Sequence, residues 1–268
     1  MAIQTVEDIA NGLVNRQGPP FTFIKAIGSP KATGAFASSW LAGGRPAAGA
    51  TPPAYTAGSG YTYSSATPGA IPFTNAAVNN WLAKLTLNCN LPLTLMLVDR
   101  LWSCSGMGFA AATYTVTTPG SLPARITDGG VGVEAWVENY VAAGAATGTL
   151  TLNYLNTLGA AKSGVISTVV SAPSAQQIQP IPLAVGDLGV SQVTSVVTSA
   201  TWTSGSFGVT LLKRLATASL ELLNGRATMD WATLGLSKIP NDACLSLVIM
   251  ANSTSAPTVA GSIDLITG

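Results

Sequence analysis

Apolar and polar residues alternate through most of the chain beyond residue 80. In VGVEAWVENYV (131–141), Val131, Val133, Ala135, Val137 and Asn139 fall on one side, and Glu134, Trp136, Glu138 and Tyr140 on the other. A period of two marks an extended strand whose faces meet different surroundings. Comparable stretches are WLAKLTLN (81–88), LTLMLVDRLW (93–102), TLTLNYL (149–155), GVISTVVS (164–171) and QIQPIPLAV (177–185). SQVTSVVTSATWT (191–203), FGVTLLKRL (207–215), ACLSLVIMAN (243–252) and GSIDLIT (261–267) complete the set. They are rich in β-branched residues and separated by turn formers such as Asp128-Gly129-Gly130, Gly159 and Gly186-Asp187. Short strands spaced by about eight to fifteen residues predict an all-β sandwich or barrel.

Three segments depart from that period. QTVEDIANGLVNR (4–16) places Val6, Ile9, Ala10, Leu13 and Val14 at helical spacing, with Thr5 as cap and Asp8 three residues on. It predicts a short amphipathic helix, weakened by Gly12. The leucine-rich stretch 216–238 predicts a helical turn or two inside a long connection. Residues 28–80 are dense in proline and glycine, which deny the backbone a regular ladder, although FTFIKAI (21–27) is compatible with a strand. From Ala47 up to Lys84 there is no charge, unlike a solvated linker. The expected layout is therefore a helix and extended arm over 1–80, lying on another surface, and a β-sandwich over 81–268.

Composition narrows the partners. Hydrophobic residues make up 47%, which raises the question of a membrane. They lie in short runs, however, and the densest, LPLTLMLV (91–98), is closed by Asp99 and Arg100. None approaches the roughly 20 residues of a spanning helix. The N-terminal stretch lacks a basic region before an apolar core, so no signal peptide is expected. Basic residues are scattered and the net charge is +1, which argues against a nucleic-acid surface. So little charge offers weak protection against self-association, and an oligomer or assembly component is expected. Cys89, Cys104 and Cys244 are odd in number and widely spaced. They predict buried free thiols in a protein folded in a reducing cytoplasm.

The chain has no histidine. That removes Ser-His-Asp and Cys-His catalysis and His-bearing zinc sites in their usual forms. Glu134 and Glu138, four apart on a strand, stand roughly 13 Å from each other. A glycosidase pair needs about 5–9.5 Å. The expected arrangement is an outward-facing strand side, with Val133, Ala135 and Val137 in the core and Trp136 and Tyr140 half-covered. Asp99 and Arg100 are expected to pair across strands, and Cys104 lacks a basic neighbour beyond Arg100 to activate it. No catalytic residue, cofactor or metal site is predicted. Dispersed aromatics leave glycan stacking open.

Several segments together, LMLVDRLWSCSGMG, VEAWVENY, TGTLTLNYLNTLGAAKSG, LGVSQVTSVVTSATWTSGSFGVTLLKRL, KIPNDACLSLVIMANSTS and GSIDLITG, resemble the virion structural proteins of tailed bacteriophages. The texture is similar to head-decoration, or capsid cement, proteins with a jelly-roll-like fold, over about residues 94–268. The resemblance implies a homotrimer on the outer capsid whose arms hold the major capsid protein lattice, with no nucleic acid or membrane partner. A tail, neck or fibre-base component, or a glycan-binding receptor module, is the alternative. The arm residues expected to touch the partner are Phe21, Phe23, Phe36, Trp40, Arg45, Tyr55, Tyr61 and Tyr63; each has filling the protein's own core as its other reading.

Overall fold

The computed structural model describes residues 3–15, 20–28, 32–56, 60–76, 79–108, 111–116, 122–144, 148–167, 173–199 and 204–268. The expected strand ends at 168–171 and 200–203, with Trp202, lie outside the described residues. The elements begin with α1 (Val6–Val14), β1 (Phe21–Ala26), β2 (Phe36–Ser38), β3 (Gly43–Arg45), β4 (Tyr61–Thr62) and β5 (Asn80–Cys89). Then come β6 (Leu93–Gly108), β7 (Ala112–Thr115), β8 (Val133–Val141), β9 (Leu150–Asn156), β10 (Ala161–Ile166) and β11 (Gln177–Pro180). The chain continues through β12 (Val190–Thr198), β13 (Ser206–Leu220), β14 (Gly225–Asp230), α2 (Trp231–Leu234), β15 (Lys238–Ile239), β16 (Leu245–Ala251) and β17 (Thr258–Thr267). The fold is all-β, in stacked antiparallel sheets, as the alternation predicts.

The middle layer is a closed ring. β13 pairs with β8, β8 with β11, β11 with β2, β2 with β16, β16 with β6, and β6 returns to β13, every pairing antiparallel. On one side of the ring lies the sheet β14-β5-β17-β1-β3, with β15 also paired to β5; on the other lies β10-β9-β12-β7. The first core joins Leu82, Leu85, Leu87, Val259 and Ile263 to Leu95, Leu97, Leu245, Leu247 and Ile249 of the ring. The second joins Leu150, Leu152, Tyr154, Val193 and Val196 to Val133, Ala135, Val137, Val209 and Leu211. Inside the ring, Met96, Val98, Trp136, Ile178, Leu212 and Val248 form a third.

This layering explains two departures from the pattern. β6 and β13 are long because each serves both flanking sheets: Leu93, Leu95, Leu97, Ala216, Ala218 and Leu220 face one core, Trp102, Cys104, Phe207 and Val209 the other. The switch is made at register shifts between Leu211 and Leu212 and between Arg214 and Ala216, where an extra residue turns the strand face. The stretch expected to be helical is accordingly strand to Leu220, a hairpin, β14, and only one turn, α2, capped by Asp230.

Helix α1 forms where the spacing places it. Thr5 accepts from the Asp8 N–H at 3.1 Å, and Asp8 Oδ2 accepts from the Thr5 N–H at 2.9 Å, closing a capping box. Ile9 is buried with Ala83 and Ile266 on the outer face of the first sheet. Gly12 is the closest approach, since a Cβ there would stand 3.0 Å from Ile266. The glycine that weakens the helix is what lets it dock. Residues beyond it depart from the expected arm: β1 is hydrogen-bonded to β17 and β3, and β2 completes the ring. The leading segment is woven into the protein's own sheets.

Candidate functional site

The alternation in β8 is real, but the face carrying Glu134, Trp136, Glu138 and Tyr140 does not point outward. It lines the inside of the ring. A strand in a closed ring that is covered by a further sheet is buried on both sides, so polar positions need partners inside. Glu138, fully buried, meets Arg100 of β6: Arg100 Nη1 donates to Oε1 at 3.2 Å and Nη2 to Oε2 at 2.5 Å. Thr210 Oγ1 and Tyr140 OH also donate to Oε2, at 2.7 and 3.0 Å. Arg100 Nη2 lies 3.0 Å from Ser103 Oγ, which donates to Tyr63 OH at 2.8 Å. The guanidinium carbon sits 4.8 Å from the Trp40 ring centroid and 4.9 Å from that of Tyr63, within cation–π range.

Electrostatics follow from these contacts. Burial alone would raise the Glu138 carboxyl, but the Arg100 charge and the donated hydrogen bonds more than offset it and hold the pKa below its ordinary value. Tyr140 is pushed well up by burial and by the adjacent Glu138 charge. Next along β6, Asp99 is gripped by Arg125 through two bonds of 2.8 Å and accepts from the Cys244 N–H at 2.8 Å. Its pKa is raised, burial outweighing Arg125. Both acid–base pairs thus cross between segments as expected of Asp99 and Arg100, and each charge is turned towards a structural partner. Glu134 is half-buried, accepting from Arg214 at 2.7 Å and from Trp136 Nε1 at 3.1 Å.

The three cysteines are free and buried. Burial pushes Cys104 and Cys244 up to about 12, far from a reactive thiolate at neutral pH. Among the described residues no three His, Cys, Asp or Glu side chains gather in a way that would hold a metal, and no helix is long and apolar enough to cross a membrane.

The eight residues expected on a partner surface separate into two groups. Phe23 lies in the first core, and Trp40 and Tyr63 are buried against each other with ring centroids 4.9 Å apart. Phe21 packs at the edge of the first core, Phe36 edge-on to Trp136, and Tyr55 edge-on to Tyr114. For these the chain's own interior is the occupant. Arg45 is exposed on β3, and Tyr61 is exposed on β4. Tyr61, Tyr63 and Trp40 line an apolar pocket of about 140 Å³ with Pro52, Pro53 and Pro68. A wider cleft of about 450 Å³ is lined by Arg125, Asp128, Lys213, Leu215 and Lys238 among others, with Lys213 bonded to Asp128 at 2.7 Å.

Two features escaped the sequence reading. Lys25 of β1 is buried, and its ammonium donates to the carbonyls of Ala42 and Ala47 at 3.3 and 3.1 Å, with burial pulling its pKa down to about 8. The other is a set of aliphatic side chains in turns, Val131, Leu158, Val185 and Leu188, left exposed at one end of the β10-β9-β12-β7 sheet. Their signal was present: large aliphatics inside glycine-rich turn segments have no core to enter.

No protein family and no curated protein matches the chain. Among solved structures, one overlap is with the family 11 carbohydrate-binding module of the cellulosomal cellulase Lic26A-Cel5E of Clostridium thermocellum. It has 13% identity and a TM-score of 0.24, covering 59% of this chain and 96% of that one. Another is with the structure of infectious bursal disease virus, Gt strain, at 10% identity and a TM-score of 0.19, covering 97% of this chain and 87% of that one. Overlaps this loose say nothing about what the chain does, and its fold stands on its own strand pairings.

Proposed function

We propose that this chain is a structural virion protein of the head-decoration kind, seated as a homotrimer on the outside of a phage capsid and holding the major capsid protein lattice together. The reading is supported chiefly by one observation: the buried charged groups of the ring are each spent on a partner inside the fold. Glu138 is neutralised by Arg100, and Asp99 by Arg125, inside a body packed on both sides. Such a body resists deformation, and the chemistry it retains is that of surface contact. The low net charge and the exposed apolar side chains favour binding by area, multiplied over many copies.

The contact falls to exposed residues of the leading segment. Arg45 on β3 and Tyr61 at the mouth of its apolar pocket replace the wider aromatic set as the groups offered to the capsid. The deciding experiment adds the purified chain to heads assembled without it. Co-sedimentation with the heads and a rise in their disruption temperature are expected, with Tyr61→Ala plus Arg45→Ala weakening binding while the protein's own melting is kept. Failure to bind heads while binding tails, or a glycan-cleaving activity lost in Glu134→Gln, would overturn the reading.

A further inference from the structure

Tyr61, Tyr63 and Trp40 form a corner of aromatic rings. Tyr63 stands edge-on to Trp40 at 4.9 Å and 79°, and Tyr61 edge-on to Tyr63 at 4.8 Å and 68°. With Pro52, Pro53 and Pro68 they bound the pocket of about 140 Å³, room for one group about the size of benzene. Its floor, Trp40, Pro52, Tyr63 and Thr67, is buried, and its rim, Pro53, Tyr61 and Pro68, is exposed. The floor is pinned from behind. Trp40 Nε1 donates to Ala50 O at 2.9 Å, Ser103 Oγ to Tyr63 OH at 2.8 Å, and the Ser105 N–H to Pro53 O at 2.8 Å. Gly49 backs onto the indole of Trp40, where a Cβ would stand 2.2 Å away. A recess whose walls are fixed before anything enters loses little freedom on binding.

The lining selects its occupant by what it lacks. No charged side chain is among the described residues that line it, so an anion would enter unpaired. Trp40 and Tyr63 already serve one cation, the Arg100 guanidinium at 4.8 and 4.9 Å, and a second would find no carboxylate in the wall. A sugar would bring many hydroxyls to satisfy. The indole N–H and the carbonyls of Ala50, Pro52 and Pro53 are already bonded inside the fold, and Thr67 Oγ1 accepts from the Ser64 N–H at 3.0 Å. The group that fits is neutral, ring-sized and undemanding of hydrogen bonds. We infer that the pocket takes a prolyl ring from an extended, proline-bearing segment of a partner protein. The C–H groups beside a prolyl nitrogen are electron-poor and rest on aromatic faces, and such a segment is stiff before it binds. A leucine would fill the volume, but it arrives on a freer backbone with rotamers to lose. The inference deepens the contact proposed at Tyr61, and rests on that reading only for which protein supplies the segment.

The test titrates the purified, ¹⁵N-labelled full chain with N-acetylated, C-amidated hexaproline and follows its nuclear magnetic resonance spectrum. Saturable shifts are expected at the Trp40 indole N–H and at the amides of Thr51 and Thr67. Tyr61→Ala removes one wall, and Ala50→Leu fills the pocket from its exposed edge. Each should weaken binding about fivefold or more with melting temperature unchanged. Tyr61→Phe keeps the ring and should bind like the wild type. The absence of saturable shifts, binding undiminished in either weakening variant, or equal binding of a neutral glycine–serine–leucine peptide of the same length would overturn the inference. Stronger shifts of the same resonances by cellohexaose or by tetramethylammonium would overturn it in favour of a glycan or a cation. Hexaproline binding by a chain that ignores heads would keep the inference and sink the decoration role, and head binding by a chain that ignores hexaproline would do the reverse.

Discussion

Removing the Glu138 carboxylate would leave Arg100 charged inside the ring, its guanidinium facing Trp40 and Tyr63 with no counter-ion. Breaking one side of a buried pair costs about 3–5 kcal/mol, whereas replacing both partners with apolar groups of similar volume is close to neutral. Glu138→Ala should therefore lose most of the protein's stability, and Arg100→Met plus Glu138→Leu should recover much of it, read as denaturant midpoints. A single substitution costing under about 1 kcal/mol would mean the pair is solvated. Because the folded carboxyl is held below its ordinary value, its contribution is present above the ordinary carboxylate range and lost as pH falls through the folded pKa.

Lys25 has the same sign of pH dependence in a higher window. Its folded pKa of about 8 lies below the ordinary 10.5, so between those values the unfolded chain binds more protons than the folded one. The Lys25 contribution should rise as pH goes from about 8 towards 10.5, while the buried thiols of Cys104 and Cys244 work the other way above their ordinary 9, so the wild type should gain relative to Lys25→Met across this window. Unfolding midpoints across this window in both proteins check it, and a difference between them that stays flat would show that the ammonium is not desolvated in the fold.

At the level of elements, the legible parts were those in which each residue answers to its immediate neighbours. The α1 cap, with Thr5 and Asp8, is a local motif, and the strand segments follow from alternation. What could not be read was which side of a strand meets water. Glu138 and Tyr140 look like an outer face because a sandwich strand has one, and only the closure of the ring by β2 and β11, from distant parts of the chain, puts that face inside. The same holds for residues 216–220, whose leucines and alanines suit a helix until β6 offers thirteen paired positions along β13.

The β6–β13 seam can be tested where its backbones touch most closely. A Cβ at Gly208 would stand 1.8 Å from the Cys104 carbonyl oxygen, beside the shift between Phe207 and Val209. Gly208→Ala should therefore cost about 1–3 kcal/mol or more as the seam is forced apart, as overpacking does elsewhere. Gly43→Ala, with nothing within 4 Å of the added carbon, serves as a neutral control. Amide exchange should locate the damage: protection falling across β6 and β13 together would show the seam opening, while loss confined to residues 204–208 would contradict it.

For the whole molecule, the question is whether the leading segment is an appendage or part of the body. β1 supplies Phe23 to the first core and pairs with β17 over six positions, and β2, three residues long, bridges β11 and β16 to close the ring. Deleting residues 1–45 would uncover one core and open the ring around a buried ion pair. It is expected to give an aggregating product without a cooperative thermal transition or near-ultraviolet circular dichroism. Deleting residues 1–15 removes only α1, whose buried contact is Ile9 on Ala83 and Ile266, and should leave both signals with a modestly lower midpoint. The contrast separates the two views, because a detachable arm would make the longer deletion as harmless as the shorter one. A 46–268 fragment that melts cooperatively would show that the strand pairings of the first segment are dispensable, and the proposed capsid contact would again be assignable to a free arm. If the longer deletion destroys the fold, a partner must read the assembled surface, Arg45 and Tyr61 included, because a free peptide would never be presented to it.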